Sequence, residues 1–187
     1  MSGGRRAFLG QALLAGVWLL TSGHTPYNQW NLYRQKHLLI LTSKSDPDGF
    51  ALGQAIAETL VARLPSSGAR VTRAPDLARV ASLMSTKQLD IAVLGRQDAR
   101  AMHDGASPFE SYGAVALRVV ANFDDYVLVS RDDFPALHGY QVAAALAGVG
   151  DHAGDGGVVA TAGQPGLAMH DGAATFLSGG AAPEGAD

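Results

Sequence analysis

The 187-residue chain predicts an α/β fold, an open and mostly parallel sheet with helices on both faces. Three observations predict it. Short continuous apolar runs alternate with stretches whose apolar residues recur at helical spacing, the pattern of strands joined by crossover helices. The first run empties into a polar loop holding Pro47 and Gly49, and Pro65-Ser66-Ser67-Gly68 stops the helix after it. Hydrophobic residues make up 47% and charged residues 17%, with a mean hydropathy of +0.07, so the composition is that of a chain with a core and not of a disordered or fibrous one.

Each element follows in order. Leu38-Leu39-Ile40-Leu41 reads as a buried strand emptying into Thr42 to Gly49. Phe50, Leu52, Ala55, Ile56, Thr59, Leu60 and Leu64 then recur at helical spacing. Residues 70–73 make a short strand, Asp76 can cap a helix carrying Leu77, Val80, Ala81, Leu83 and Met84, and 89–94 is again an apolar strand. A third helix is expected over 97–103. Beyond Gly105 the rhythm changes: 115–121 and 126–130 are two adjacent strands split by Asn122-Phe123-Asp124-Asp125, and 135–147 makes a further helix that Gly139 weakens. The glycine-rich stretch 148–187 is expected to be loose and partly disordered.

The start of the chain is a different kind of segment. Gly4-Arg5-Arg6-Ala7-Phe8-Leu9-Gly10 followed by a weakly apolar run resembles a twin-arginine export signal over 1–23, with 24–36 as a linker or aromatic arm holding Tyr27, Trp30 and Tyr33. About 14 mostly apolar residues fall short of the roughly 20 that a spanning helix needs, which favours release into the periplasm. Thr21-Ser22-Gly23-His24 lacks a clean Ala-x-Ala, so an uncleaved, membrane-tethered form is the alternative, and an ordinary basic N-terminal helix is the other. The net charge of −3 becomes more negative once Arg5 and Arg6 leave, making nucleic acid a poor partner. Zero cysteines exclude disulfides, thiolate metal sites and cysteine nucleophiles, and suit an oxidising compartment.

Several stretches together resemble a family. Gly49-Phe50-Ala51-Leu52-Gly53 stands at a helix start; residues 83–99, Leu83-Met84-Ser85 through Leu89-Asp90-Ile91-Ala92-Val93 to Asp98-Ala99, form a second signature; Leu117-Arg118-Val119-Val120-Ala121-Asn122 forms a third; and His170-Asp171-Gly172-Ala173 with Phe176 lies near the end. These resemble the periplasmic solute-binding proteins of tripartite ATP-independent (TRAP) transporters, in the TAXI subgroup, most clearly over 38–130. The resemblance implies one lobe of a type II periplasmic-binding-protein-like fold over 37–147. Ordinary members close two lobes on a ligand, but no second set of strand-helix units follows Ser130. The helix over 135–147 is then either the one that returns after a deleted lobe or the abortive start of that lobe.

In such folds loops at the C-terminal ends of parallel strands, with open helix-start amides, hold a small anion. Two loops qualify. One offers Ser43, Lys44, Ser45, Gly49 and Phe50; the other, after the third strand, offers Arg96, Gln97 and Asp98. Lys44 and Arg96 would be the countercharges to a carboxylate, the arginine making a two-pronged contact. Against this stands the reading of Lys44 as a solvated loop charge and Asp98 as a helix cap.

Other constellations are weaker. Ala-Met-His-Asp-Gly-Ala occurs at 101–106 and at 168–173, two His-Asp pairs that would suit one metal only if they converged; punctuation of helix ends by Asp-Gly is the preferred explanation. Asp124-Asp125 and Asp132-Asp133 read as solvated turn acids. No nucleophile elbow, phosphate loop, dinucleotide fingerprint or zinc-protease motif is present, so the expectation is a non-enzyme with no cofactor and no metal. The resemblance therefore implies an exported domain binding a small organic anion or the membrane subunits of a transporter. The alternative is an accessory or assembly protein of a periplasmic redox enzyme, which kept the lobe for protein contacts.

Overall fold

The computed structural model describes residues 37–147 and 166–184. The chain divides into two units, Met1–Gln35 and Lys36–Asp187, and every described residue lies in the second. The segments expected to be an export signal (1–23) and a linker or arm (24–36) fall outside the described residues.

Among the described residues there are five strands and five α-helices: β1 (Leu39–Ser43), α1 (Pro47–Arg63), β2 (Arg70–Ala74), α2 (Leu77–Ser85), β3 (Ile91–Gly95), α3 (Arg96–Asp104), β4 (Leu117–Phe123), β5 (Tyr126–Arg131), α4 (Ala136–Ala147) and α5 (Asp171–Leu177), all but α5 in the expected alternation. The strands form one open sheet in the order β2-β1-β3-β5-β4. β1 pairs in parallel with β2 and β3, and β5 runs antiparallel to both β3 and β4. The chain therefore leaves β1 toward one side to reach β2, then crosses back to the other side for β3.

Right-handed crossovers in opposite directions must place their helices on opposite faces, and they do. Ile56, Ala57 and Leu60 of α1 pack with Ile40, Ile91 and Leu128, joined by Val142 and Leu146 of α4 and Ala173 of α5. Val80, Ala81 and Met84 of α2 and Ala99 and Met102 of α3 pack on the other face against Leu41, Ala92, Leu94, Val119 and Val129. Alternation along each strand divides the two cores, so β1 sends Leu39 and Leu41 one way and Ile40 the other.

Local chemistry sets the element ends. The helix expected from Phe50 begins three residues earlier, because Asp46 accepts a hydrogen bond from the Gly49 amide at 3.0 Å and Pro47, at the first position, has no N–H to lose. Asp76 caps α2 as expected, accepting from Arg79 N at 2.7 Å. α3 ends at Gly105, whose φ of 65° closes the turn. At the N-terminal edge of β3 the buried Arg131 binds Asp90 at 2.9 Å and also Asp133, which Lys87 meets at 2.9 Å. These bonds, Lys87's foremost, hold the Asp133 carboxyl below its usual range. That acid is an ion-pair partner, not the solvated turn residue expected.

The stretch 148–187, expected to be loose and partly disordered, is described in part. In its described part, 166–184, Leu167, His170 and Ala173 are buried and α5 forms. The segment runs beside the outer edge of β4, with Val119 N donating to Ala168 O at 2.9 Å and His170 N to Val119 O at 2.8 Å. Gly139, expected to weaken its helix, and Gly172 are the reason α4 and α5 can touch. A Cβ on Gly172 would stand 1.8 Å from Ala136 O, and one on Gly139 would stand 2.1 Å from the His170 ring. α4 packs on α1 and β4, in the same body as the strands. It is therefore a helix of the same α/β body as the sheet.

Candidate functional site

The change of direction after β1 makes a switch point. The β1–α1 and β3–α3 loops leave neighbouring parallel strands toward opposite faces, and the gap between them at the strands' C-terminal ends is where open α/β sheets bind ligands. Both predicted loops lie at this edge, since Ile40 and Leu41 pair with Ile91 and Ala92.

In the first loop Ser43 is buried, and its hydroxyl shares a 2.7 Å hydrogen bond with that of Ser45 while accepting from Ser45 N at 3.1 Å. These hydroxyls shape the turn. Lys44 donates its main-chain N–H to Ala74 O at 2.8 Å, and its side chain is exposed with no ion pair or hydrogen bond among the described residues. Gly49 does permit a close approach, but of Asp46 and Tyr126: a Cβ there would lie 2.4 Å from the Asp46 carboxylate and 3.1 Å from the Tyr126 ring. Phe50 is half-buried, with the Arg73 guanidinium 4.0 Å from its ring centre.

The second loop is spent differently from expectation. Arg96 donates its Nε to Asp124 O and a terminal nitrogen to Phe123 O at 3.1 Å, while its main-chain N–H reaches Asp125 O at 3.0 Å. Its guanidinium clamps the β4–β5 hairpin instead of facing a ligand as a free fork. Gln97 is exposed. α3 starts at Gly95 with no side-chain cap, so Asp98 is not the cap it was weighed as. Burial, and then the charge of Asp46, push the Asp98 carboxyl up from its ordinary value.

Tyr126 is the residue that sequence reasoning missed. It opens β5 opposite Gly95, and its hydroxyl donates to Asp46 Oδ1 at 2.8 Å across 80 residues. Burial first, then the Asp46 hydrogen bond and charge, push its phenol up to about 12, so it remains a donor. Asp46 thus caps α1 and anchors the hairpin at once. Among the described residues the edge carries the unpartnered Lys44 ammonium, the Asp46, Asp48 and Asp98 carboxylates, the Tyr126 phenol and a helix start with no side-chain cap. That set can bind and orient a polar molecule but holds no paired nucleophile and base.

No protein-family model and no curated protein matches the chain.

The remaining constellations resolve into structure. His103 accepts from Leu117 N at 3.2 Å, while the buried His170 accepts from Gly172 N at 3.2 Å and uses its other nitrogen on Phe134 O at 2.8 Å. Among the described residues no group of three or more His, Asp or Glu side chains is placed to hold a metal ion. Asp124 and Asp125 are exposed at the hairpin turn. Among the described residues no helix is long and apolar enough to cross a membrane.

Proposed function

We propose that this chain is an exported, non-enzymatic solute-binding lobe, similar to the TAXI proteins of TRAP transporters, that takes a small organic carboxylate at the C-terminal edge of β1 and β3. The observation that carries this reading is the switch point, where two loops diverge, one carrying the unpartnered Lys44 and the other leading into a helix start with no side-chain cap. With only one wall of a clamshell the contact area is small, so a transporter subunit or a second copy completes the site. The test is a thermal melt of the full chain with excess glutamate, succinate or glutarate. At a hundredfold excess over Kd, binding stabilises by about 2.7 kcal/mol, read as a rise of several degrees. No rise with any of the three sinks the proposal.

One observation favours a second reading. Asp46 and Asp98 face the same edge and Arg96 is committed to the hairpin, which disfavours a free anion. An accessory domain of a periplasmic redox enzyme would use this edge against protein. It would show no thermal response to the three acids and would co-purify in fixed ratio with the enzyme.

A further inference from the structure

We infer that Arg73, acting with Lys44, is the guanidinium that reads the carboxylate at this edge. The inference rests on the binding reading above and assigns the countercharge that Arg96 cannot supply. Arg73 is the penultimate residue of β2 and pairs in register with Thr42. Alternation puts it on the same face as Val71, over the first turns of α1, where its guanidinium lies on the Phe50 ring. The ring contact restrains the exposed guanidinium without consuming an N–H, and no hydrogen bond or ion pair holds Arg73 among the described residues. It is a fork already oriented and still open, which lowers the ordering cost of a two-pronged contact with an oxyanion.

Lys44 follows two residues after Thr42 on the neighbouring strand, so strand spacing and rise set its Cα about 8 Å from that of Arg73. Cations on side chains from neighbouring strands can meet the two ends of one short dicarboxylate, which a single acetate-like group would not do. Of the acids nearest in sequence, Asp46 caps α1 and accepts from Tyr126, Asp48 is exposed in the first turn of α1 and Asp76 caps α2.

The test is calorimetric titration of the full chain with succinate, with acetate for comparison, on wild type, Arg73→Lys, Arg73→Gln and Phe50→Ala, each checked for folding by its melt. The expected weakening is about tenfold for Arg73→Lys, which keeps the charge and loses the fork, and about a hundredfold for Arg73→Gln. Phe50→Ala keeps the charge but frees the fork, and should weaken binding about threefold. The Arg73 Nε–Hε resonance should shift on adding succinate to wild type. If wild type binds and Arg73→Gln binds equally well, or if Arg96→Gln abolishes binding and Arg73→Gln does not, the assignment is overturned while the binding reading stands. If wild type binds neither acid, both fall.

Discussion

Ala-Met-His-Asp-Gly-Ala is written twice in this chain, and the two copies fold in opposite senses. In the first, residues 101–104 end α3 and Gly105 turns the chain, its neighbour Ala106 N closing back on Ala101 O at 2.8 Å. In the second, Ala168 and Met169 run extended beside β4, and His170 starts α5 by capping it. The same Asp-Gly is a helix end in one place and a helix start in the other. The flanks decide. Gln97-Asp98-Ala99-Arg100 leads helically into the first copy and Pro108 follows it, whereas Pro165-Gly166 precedes the second and blocks a helix there. Six identical residues thus carry little conformational instruction; what precedes them and what they pack against carries more.

Substitutions at matched positions sharpen this contrast. The largest effect is expected at the two glycines. Gly172→Ala drives a Cβ onto the Ala136 carbonyl, backbone that cannot swing aside, and should cost about 3 kcal/mol in urea unfolding. Gly105→Ala meets Ala114 N at 2.7 Å with φ at 65° and should cost about 1–2 kcal/mol, while Gly105→Asn, which tolerates that φ, should recover part of it. Equal losses at the two sites would mean that the copies are equivalent after all.

The histidines come next. His170→Ala leaves Gly172 N–H and Phe134 O buried without their partner and should cost about 2 kcal/mol; His103→Ala removes one half-exposed acceptor and should cost about 1 kcal/mol. His170→Asn can still cap α5 and should fall between wild type and alanine. A larger loss at His103 than at His170 breaks the ranking.

The smallest effect is in the pH dependence of the helix that carries the first copy. Because the Asp98 pKa is raised by folding, its stabilising contribution is fully present below the unfolded carboxylate value of about 3.9 and is lost as pH rises through the higher folded value. Asp133, whose folded pKa is lowered, behaves in the reverse sense: its contribution is present above the unfolded value and lost as pH falls through the folded one. Urea melts across the acid range should therefore show Asp98→Asn removing the fall in stability on the rising-pH side and Asp133→Asn removing the loss at lower pH. Parallel curves for both variants would contradict the two opposite environments.

Much of the fold was legible because apolar runs and helical spacing report burial directly. The run at 38–41 became β1, and the periodic stretch ending at Leu64 became α1. The early start of α1 was also readable, since Asp46-Pro47 is a capping residue followed by the residue best suited to the first helical position. α5 was not readable: it is seven residues long, contains a glycine, and is capped by histidine. The two loops of the candidate site were legible as loops, but not what their side chains do. Arg96 spends its donors on main-chain carbonyls of a hairpin 27 and 28 residues away, and Tyr126 reaches Asp46 from another strand. Such partners are set by strand order, which no local pattern encodes.

The segment from Leu167 to His170 sits beside β4, whose residues were synthesised well before it. On the ribosome, a chain that has not yet emerged past Met169 shows the cell an unpaired strand edge and an empty notch at Gly139. This sheet is therefore finished only after the stretch from Leu167 to His170 has seated.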